Sequence, residues 1–287
     1  MCEKKASTLL SSLKVSNILS YEEDQKQLFT QQWKSLCQQI KRKFDLCIVL
    51  DKTPELCQLY LAAKSGATAR IGFGDGYNAP FLNIQLKNQS ETANIFEQNR
   101  ALTQLLGNTR QKIKWSVAKS TLKDIEHLLK QHSISQNSPL LGIDLPYLLS
   151  TFDKGWIMEL IKCIKKDCRF SLFAFDALCA EQQTPSWISE LNLKVIPQLS
   201  LPRAAALISL SDTIITGKST LFAISTMLSA KNIAIFEKKD AKYYENSKTY
   251  IISYNNTPDR NTIEQVMKFL IKSDYKSQKK NNATTVK

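Results

Sequence analysis

A chain of 287 residues, 43% of them apolar, suits two globular domains of moderate size or one large one. No apolar run approaches the ~18 residues that span a bilayer, and the opening MCEKKASTLLSSLK lacks a signal-peptide core, so a cytoplasmic protein is expected. The net charge of +13 favours an anionic partner: a phosphorylated ligand, a membrane surface or nucleic acid.

Glu22 to Lys43 reads as an amphipathic helix, with Leu28, Phe29, Trp33, Leu36 and Ile40 near helical spacing. Lys41, Arg42 and Lys43 close it, where cations complement a helix C-terminus. Phe44 to Asp51 follows as a buried strand. Pro54 to Ser65 reads as a helix stopped by Gly66, and Ala69 to Phe73 as a short strand. The strand runs into GFGDG at Gly72 to Gly76, which lacks the full G-x-G-x-x-G form and reads as a flexible turn. Glu91 to Leu106 is a helix ended by Gly107, Asn108 to Lys119 a linker, and Ser120 the cap of a helix through Gln131. His127 and His132 have neither the spacing nor the neighbours of metal ligands. The seven cysteines are odd in number and contain no C-x-x-C, so buried free thiols are expected and no metal site.

The second half alternates again. Leu140 to Leu145 is a strand, Asp153 to Lys166 a helix and Phe170 to Phe175 a strand. Pro185 to Leu191 is a helix, Lys194 to Ile196 a strand and Pro202 to Leu210 a helix. Within Asp212 to Phe236, the apolar run Thr213 to Ile215 meets the loop Thr216-Gly217-Lys218-Ser219-Thr220. The helix Leu221 to Leu228 and the strand Ile233 to Phe236 come next. The loop after a strand in an open α/β sheet meets a helix N-terminus, whose free N–H groups and dipole favour an anion. Ser219 and Thr220 can cap that helix, and Lys218 adds positive charge. A phosphate-bearing ligand such as a nucleotide sugar fits, and so does a capped turn with no ligand. Asp212 stands where a Walker loop needs its first glycine, which argues against an NTPase. Tyr250 to Ser253 is a late strand and Thr262 to Ile271 a last helix. The lysine-rich tail beyond it is expected to be disordered.

Strands alternating with helices imply parallel sheets, and two such runs around a linker imply two Rossmann-like domains with a cleft between them. The boundaries are expected at 1–112, 113–273 and a basic tail at 274–287.

Five segments in this order resemble glycosyltransferase family 9, the heptosyltransferase-like enzymes. FDLCIVLD from Phe44 is similar to the family's YDLVIDL, and AAKSGATARIGF from Ala62 to ARLAGARRRIGF. ETANIFEQNRALTQLLG from Glu91 resembles a helix ending in LL..LG, and DKGW from Asp153 is similar to KRWP. LPRAAALISLSDTIITGKSTLFAISTML from Leu201 resembles SLRELAALIARADLVVGNDSGPMHLAAAL without gaps.

The resemblance implies the GT-B architecture, two Rossmann-like domains facing a cleft. It implies transfer of a heptose or related sugar from a nucleotide-sugar donor to a lipopolysaccharide-type or other glycan acceptor at the inner face of the cytoplasmic membrane. It implies no metal and no cofactor beyond the donor. Lys154 then matches a donor-phosphate lysine, Ser219 the serine of a D-S-G motif, and Glu181 an acidic residue of the nucleotide pocket. Lys218 and Thr220 complete the expected donor set, in the cleft with Lys154 and Ser219.

The departures are specific. Lys218, Thr220 and Ala223 replace the acid, glycine and histidine of D-S-G-x-x-H, and Gly155 replaces the arginine of KRW. The opening strand and its G-D loop, which would carry the general base, have no counterpart, so the N-terminal domain is expected to be incomplete. Asp51 and Asp75 are candidate bases by position only. The expected partners are a nucleotide sugar, a lipid-linked or glycan acceptor and an anionic membrane surface. Nucleic acid is disfavoured, because no aromatic residues interleave with the basic clusters in a known RNA-binding motif. The alternative is a catalytically degenerate relative that binds a sugar nucleotide, a glycan or a partner protein.

Overall fold

A computed structural model describes residues 2–3, 18–21, 28–51, 54–74, 78, 80–87, 102, 104, 107, 117–176, 185–197, 199–241, 249–255 and 257–284. The chain divides into two compact units, one built from Met1–Ile113 and Lys242–Tyr244 and one from Lys114–Ala241 and Glu245–Lys287.

In the first unit, β1 (Cys2–Glu3) pairs in parallel with β2 (Ser20–Tyr21). The elements α1 (Gln31–Ile40), β3 (Leu46–Ile48), α2 (Leu56–Lys64), β4 (Ala69–Phe73) and β5 (Ile84–Leu86) follow. The strands β3, β4 and β5 form a parallel sheet in that order. Of the helix expected over Glu22 to Lys43, residues 22–27 lie outside the described residues, and the helix that follows begins at Gln31. Thr30 caps it by accepting the Trp33 N–H at 3.2 Å, and Phe29 before it has a φ of 70°, outside helical space. Trp33, Leu36 and Ile40 then pack against Cys57 and Leu61 of α2.

The strand expected over Phe44 to Asp51 is laddered only at Leu46–Ile48, though the Val49 N–H still reaches the Ile71 carbonyl at 2.8 Å. Gly72 and Phe73 lie in β4, not in a flexible turn. A Cβ at Gly72 would meet Leu82 Cδ1 at 2.7 Å, so this glycine serves close packing. Of the helix expected over Glu91 to Leu106, only Leu102 and Gln104 are described, and both are helical. Most of the expected linker lies outside the described residues. Cys37, Cys47, Cys57, Cys163 and Cys168 are free thiols. Of these five Cys57 alone is buried, and the others are half-buried.

The second unit runs α3 (Lys119–Gln131), β6 (Leu140–Asp144), α4 (Leu145–Thr151), α5 (Lys154–Asp167), β7 (Ser171–Phe175) and α6 (Trp187–Glu190). It continues through β8 (Lys194–Ile196), α7 (Leu201–Leu210), β9 (Thr213–Thr216), α8 (Thr220–Met227), β10 (Asn232–Glu237) and α9 (Lys238–Ala241). It ends with β11 (Thr249–Tyr254) and α10 (Arg260–Thr284). All six strands are parallel, in the order β11-β10-β9-β6-β7-β8. Helix α3 opens at Lys119, one residue before the expected cap Ser120, and its N-cap Ala118 makes no side-chain cap bond. The last helix reaches Thr284, where a disordered tail was expected; no glycine or proline after Arg260 stops it.

Strand β6 leads to β7 on one side and β9 leads to β10 on the other, so the chain changes direction between neighbours β6 and β9. Right-handed crossovers then place α5 and α8 on opposite faces of the sheet. The core agrees. Leu141, Ile143, Ile215, Ile233, Ile235 and Ile252 pack with Trp156, Ile157, Leu160 and Ile161 of α5 and with Ile263, Val266 and Leu270 of α10. On the other face α7 packs on α3 and α8, and Phe222 of α8 meets Phe236 edge to face at 5.3 Å. A Cβ at Gly142 would meet Phe173, Phe175 and Ile214 side chains at 2.8 Å each, so β6 needs glycine there for the rings to close over it.

A buried polar chain joins β9, β10 and α8. Thr216 Oγ1 donates to Asn232 Oδ1 at 2.8 Å, Asn232 Nδ2 donates to Ser225 Oγ at 2.7 Å, and Ser225 Oγ donates to the Phe222 carbonyl at 2.8 Å. Replacing Asn232 with leucine strands the Thr216 hydroxyl. Asn232→Leu is expected to lower stability by about 1–3 kcal/mol in urea unfolding.

Candidate functional site

The carboxyl ends of β6 and β9 carry the polar groups that the chain reversal brings together. Asp144 ends β6 and is 2% exposed. It caps α4 by accepting the Tyr147 N–H at 3.3 Å, with Pro146 in the first turn. Ser219, after β9, caps α8 by accepting the Phe222 N–H at 3.3 Å, and its hydroxyl donates to Asp144 Oδ2. One carboxylate therefore ties the heads of two helices across the switch point.

Tyr147 walls this point. Its hydroxyl donates to the Ile235 carbonyl at 2.6 Å. A Cβ at Gly217 would run into its ring, which explains the glycine between Thr216 and Lys218. Burial, with Tyr254 beside it, raises the Tyr147 phenol well above its ordinary range, so it stays a neutral donor. Burial also dominates at Asp144, whose pKa is pushed up to about 6 against the lowering pull of Ser219 and of the Tyr147 N–H.

Lys154 opens α5, which Asp153 caps by accepting the Trp156 N–H at 2.9 Å. The Trp156 indole N–H donates to the Asp259 carbonyl at 3.1 Å. Asp259 follows the end of β11, so the head of α5 also lies at the carboxyl edge of the sheet. The Lys154 ammonium sits 5.5 Å over the Trp187 ring. Lys218 is exposed and pairs with Asp240 at 3.4 Å, a contact of small energetic weight at such exposure. Thr220 opens α8 and is exposed.

The structure thus brings Lys218, Ser219 and Thr220 together on one turn, and puts Lys154 at the head of the opposite-face helix on the same edge. Lys154, Lys218 and Ser219 each have an intrachain partner. Asp51 is exposed, just beyond β3 in the first unit. Glu181 and Asp75 lie outside the described residues. Among the described residues no group of three or more His, Cys, Asp or Glu side chains comes together to hold a metal ion, and no helix is long and apolar enough to cross a membrane. Sequence reasoning missed Asp144. The available signal was an apolar strand ending in Asp-Leu-Pro, which is a cap followed by a first-turn proline.

A parallel sheet with a switch point, and capped helices heading away from its carboxyl edge, define the α/β class that holds ligands outside the strand ends. Within that class the chain belongs to glycosyltransferase family 9 (heptosyltransferase), whose pattern matches residues 33–269. No curated protein matches the chain in sequence. Among solved structures it is similar to E. coli ADP-heptose lps heptosyltransferase II, with a TM-score of 0.66 at 16% identity over 96% of this chain and 88% of that one. It is similar to E. coli heptosyltransferase WaaC with ADP-2-deoxy-2-fluoro heptose, with a TM-score of 0.62 at 14% identity over 93% and 87%. The glycosyl transferase family 9 from Veillonella parvula DSM 2008 gives a TM-score of 0.59 at 13% identity over 82% and 75%. At these identities the likeness concerns the fold.

The buried Asp144 has a consequence for stability. Its folded pKa, about 6, lies above the ordinary 3.8, so the folded state keeps the proton longer than the unfolded state does. Stability is therefore lost as pH rises from about 4 to 6, and the loss is complete above that window. An asparagine carries no such loss. The stability of Asp144→Asn relative to the native chain is expected to rise by roughly 3 kcal/mol between pH 4 and pH 7, measured by urea unfolding across that range.

Proposed function

We propose that this protein transfers a heptose or related sugar from a nucleotide-sugar donor to a lipopolysaccharide-type or other glycan acceptor. The observation that carries this reading is the convergence of two capped helix heads, with Lys154, Lys218, Ser219 and Thr220, on the carboxyl edge of a family 9 sheet. The donor's diphosphate sits along that edge. N–H groups at the head of α8, the hydroxyls of Ser219 and Thr220 and the two ammonium groups supply donors and charge. Lys218 turns from Asp240 to the ligand at little cost, because its ammonium is exposed to solvent. Glu181 would lie in the nucleotide pocket.

In the reaction an acceptor hydroxyl oxygen attacks the anomeric carbon and the bond from that carbon to the phosphate oxygen breaks. The electron pair leaves with the nucleoside diphosphate, and a carboxylate takes the acceptor proton. Lys154 and Lys218 stabilise the charge developing on the leaving diphosphate, so this reading needs no metal ion for that task and no cofactor. Asp51 and Asp75 are the proposed bases. A lipid-linked acceptor carrying phosphates suits the net charge of +13, and so does peripheral contact with an anionic membrane surface.

A thermal-shift panel of nucleotide sugars, followed by titration calorimetry, tests donor binding. Lys154→Ala and Lys218→Glu should each weaken binding roughly 10–100-fold, as expected for a lost charge-assisted hydrogen bond. If both variants bind like the native chain, the phosphate role is wrong. In turnover assays with lipid-linked acceptors, Asp51→Asn or Asp75→Asn should slow transfer roughly 10²–10⁴-fold, whichever is the base. Donor binding without any transfer by the native chain would leave a binding protein rather than an enzyme.

A further inference from the structure

The donor edge already contains an anion. The Asp144 carboxylate is 2% exposed and accepts from the Ser219 hydroxyl and the Tyr147 N–H. The hydroxyl expected to meet a donor phosphate is therefore turned inward. The partial positive charge at a helix head amounts to about half an elementary charge, and one carboxylate beside the head of α8 uses it. A diphosphate brought to the same place meets a buried negative charge, in surroundings that screen it poorly.

We propose, resting on the donor reading above, that Asp144 sets the specificity of this edge by charge: the diphosphate seats on Ser219 only when the Asp144 carboxyl is neutral. In the neutral form the carboxyl donates its own proton to Ser219 Oγ. Ser219 still accepts from the Phe222 N–H and turns its O–H outward to a phosphate oxygen. No bond to carbon is made or broken in this step. At a pH above this carboxyl's titration range, one proton is taken from solvent for each donor bound.

Several titratable and charged groups surround Asp144. Tyr147 of α4 stands beside it and remains a neutral phenol. Tyr254 of β11 lies behind Tyr147, also with its phenol raised by burial. Lys218 of the turn faces Asp240 of α9, and Glu237 of β10 pairs with Lys239 at 2.5 Å. Asp176 follows β7 at the same edge. None of the described cations contacts the Asp144 carboxylate; burial and its two hydrogen bonds govern its proton affinity and bring its titration to about 6. The gate therefore works across the ordinary solution range.

The probe is ADP-2-deoxy-2-fluoro heptose, with ADP-glucose as a second. Their diphosphate diesters keep a constant charge from pH 5 to pH 8. Titration calorimetry on the full chain should show binding weakening roughly 100-fold between pH 5 and pH 8, following the neutral fraction of a group titrating near 6. Asp144→Asn, with Asp144→Ser as a second variant should the first unfold, should bind at pH 8 about as tightly as the native chain at pH 5. A flat native profile, parallel profiles in native and variant, or loss of binding in a folded variant overturns the gate while leaving the donor reading standing. Absence of binding by native and variant chains at every pH overturns the donor reading and the gate with it.

Discussion

A buried carboxylate with no cation beside it among the described residues constrains the second unit of this molecule. Asp144 receives a hydrogen bond from the head of α4 and another from the cap of α8, and both helices take their starting points from it. Desolvation raises the free energy of its charged form, and only two donors offset the cost. The Tyr147 ring, fixed by its bond to the Ile235 carbonyl, closes over Gly217 and keeps water away from the same point. A larger residue at Gly217, or a shorter one at Tyr147, would change the solvation of Asp144 as much as the shape of the turn.

Around this fixed point the other polar groups differ in how firmly they are held. Thr216, Asn232 and Ser225 satisfy one another in the core and fix β9, β10 and α8 as one body. Lys154 and Lys218 are held by a ring face and by one exposed ion pair, contacts that exchange readily with solvent or ligand. Rigid caps with adaptable cations beside them form an arrangement that can recognise an anion without rebuilding the backbone.

Much of this was legible in the chain. The run Thr213 to Phe236 showed its strand, loop, helix and strand, and Ser219 as a cap, because the apolar periods are long and the cap residue is a strong one. The match of whole segments in order carried the family. Short elements were not legible. Ile84-Gln85-Leu86 is too brief to show a period, and α4 hid behind a strand that seemed to run one residue further. At Glu22 the apolar spacing continued past a point where Phe29 turns left-handed, which no periodicity reveals. Asp144 escaped notice because its importance lies in a contact with Ser219, 75 residues away in sequence.

The last helix, returning onto α5, bears on how the molecule is made. Ile263, Val266, Met267 and Leu270 cover one face of the six-stranded sheet, together with Trp156, Ile157 and Leu160. These four residues follow every described strand in the chain. Without them, Ile233, Ile235 and Ile252 lack the cover that completes their face of the sheet, and a folding intermediate in that state exposes apolar surface that is prone to misassociate. Truncation before Arg260 would leave this face of the six-stranded sheet without the cover that Ile263, Val266, Met267 and Leu270 supply.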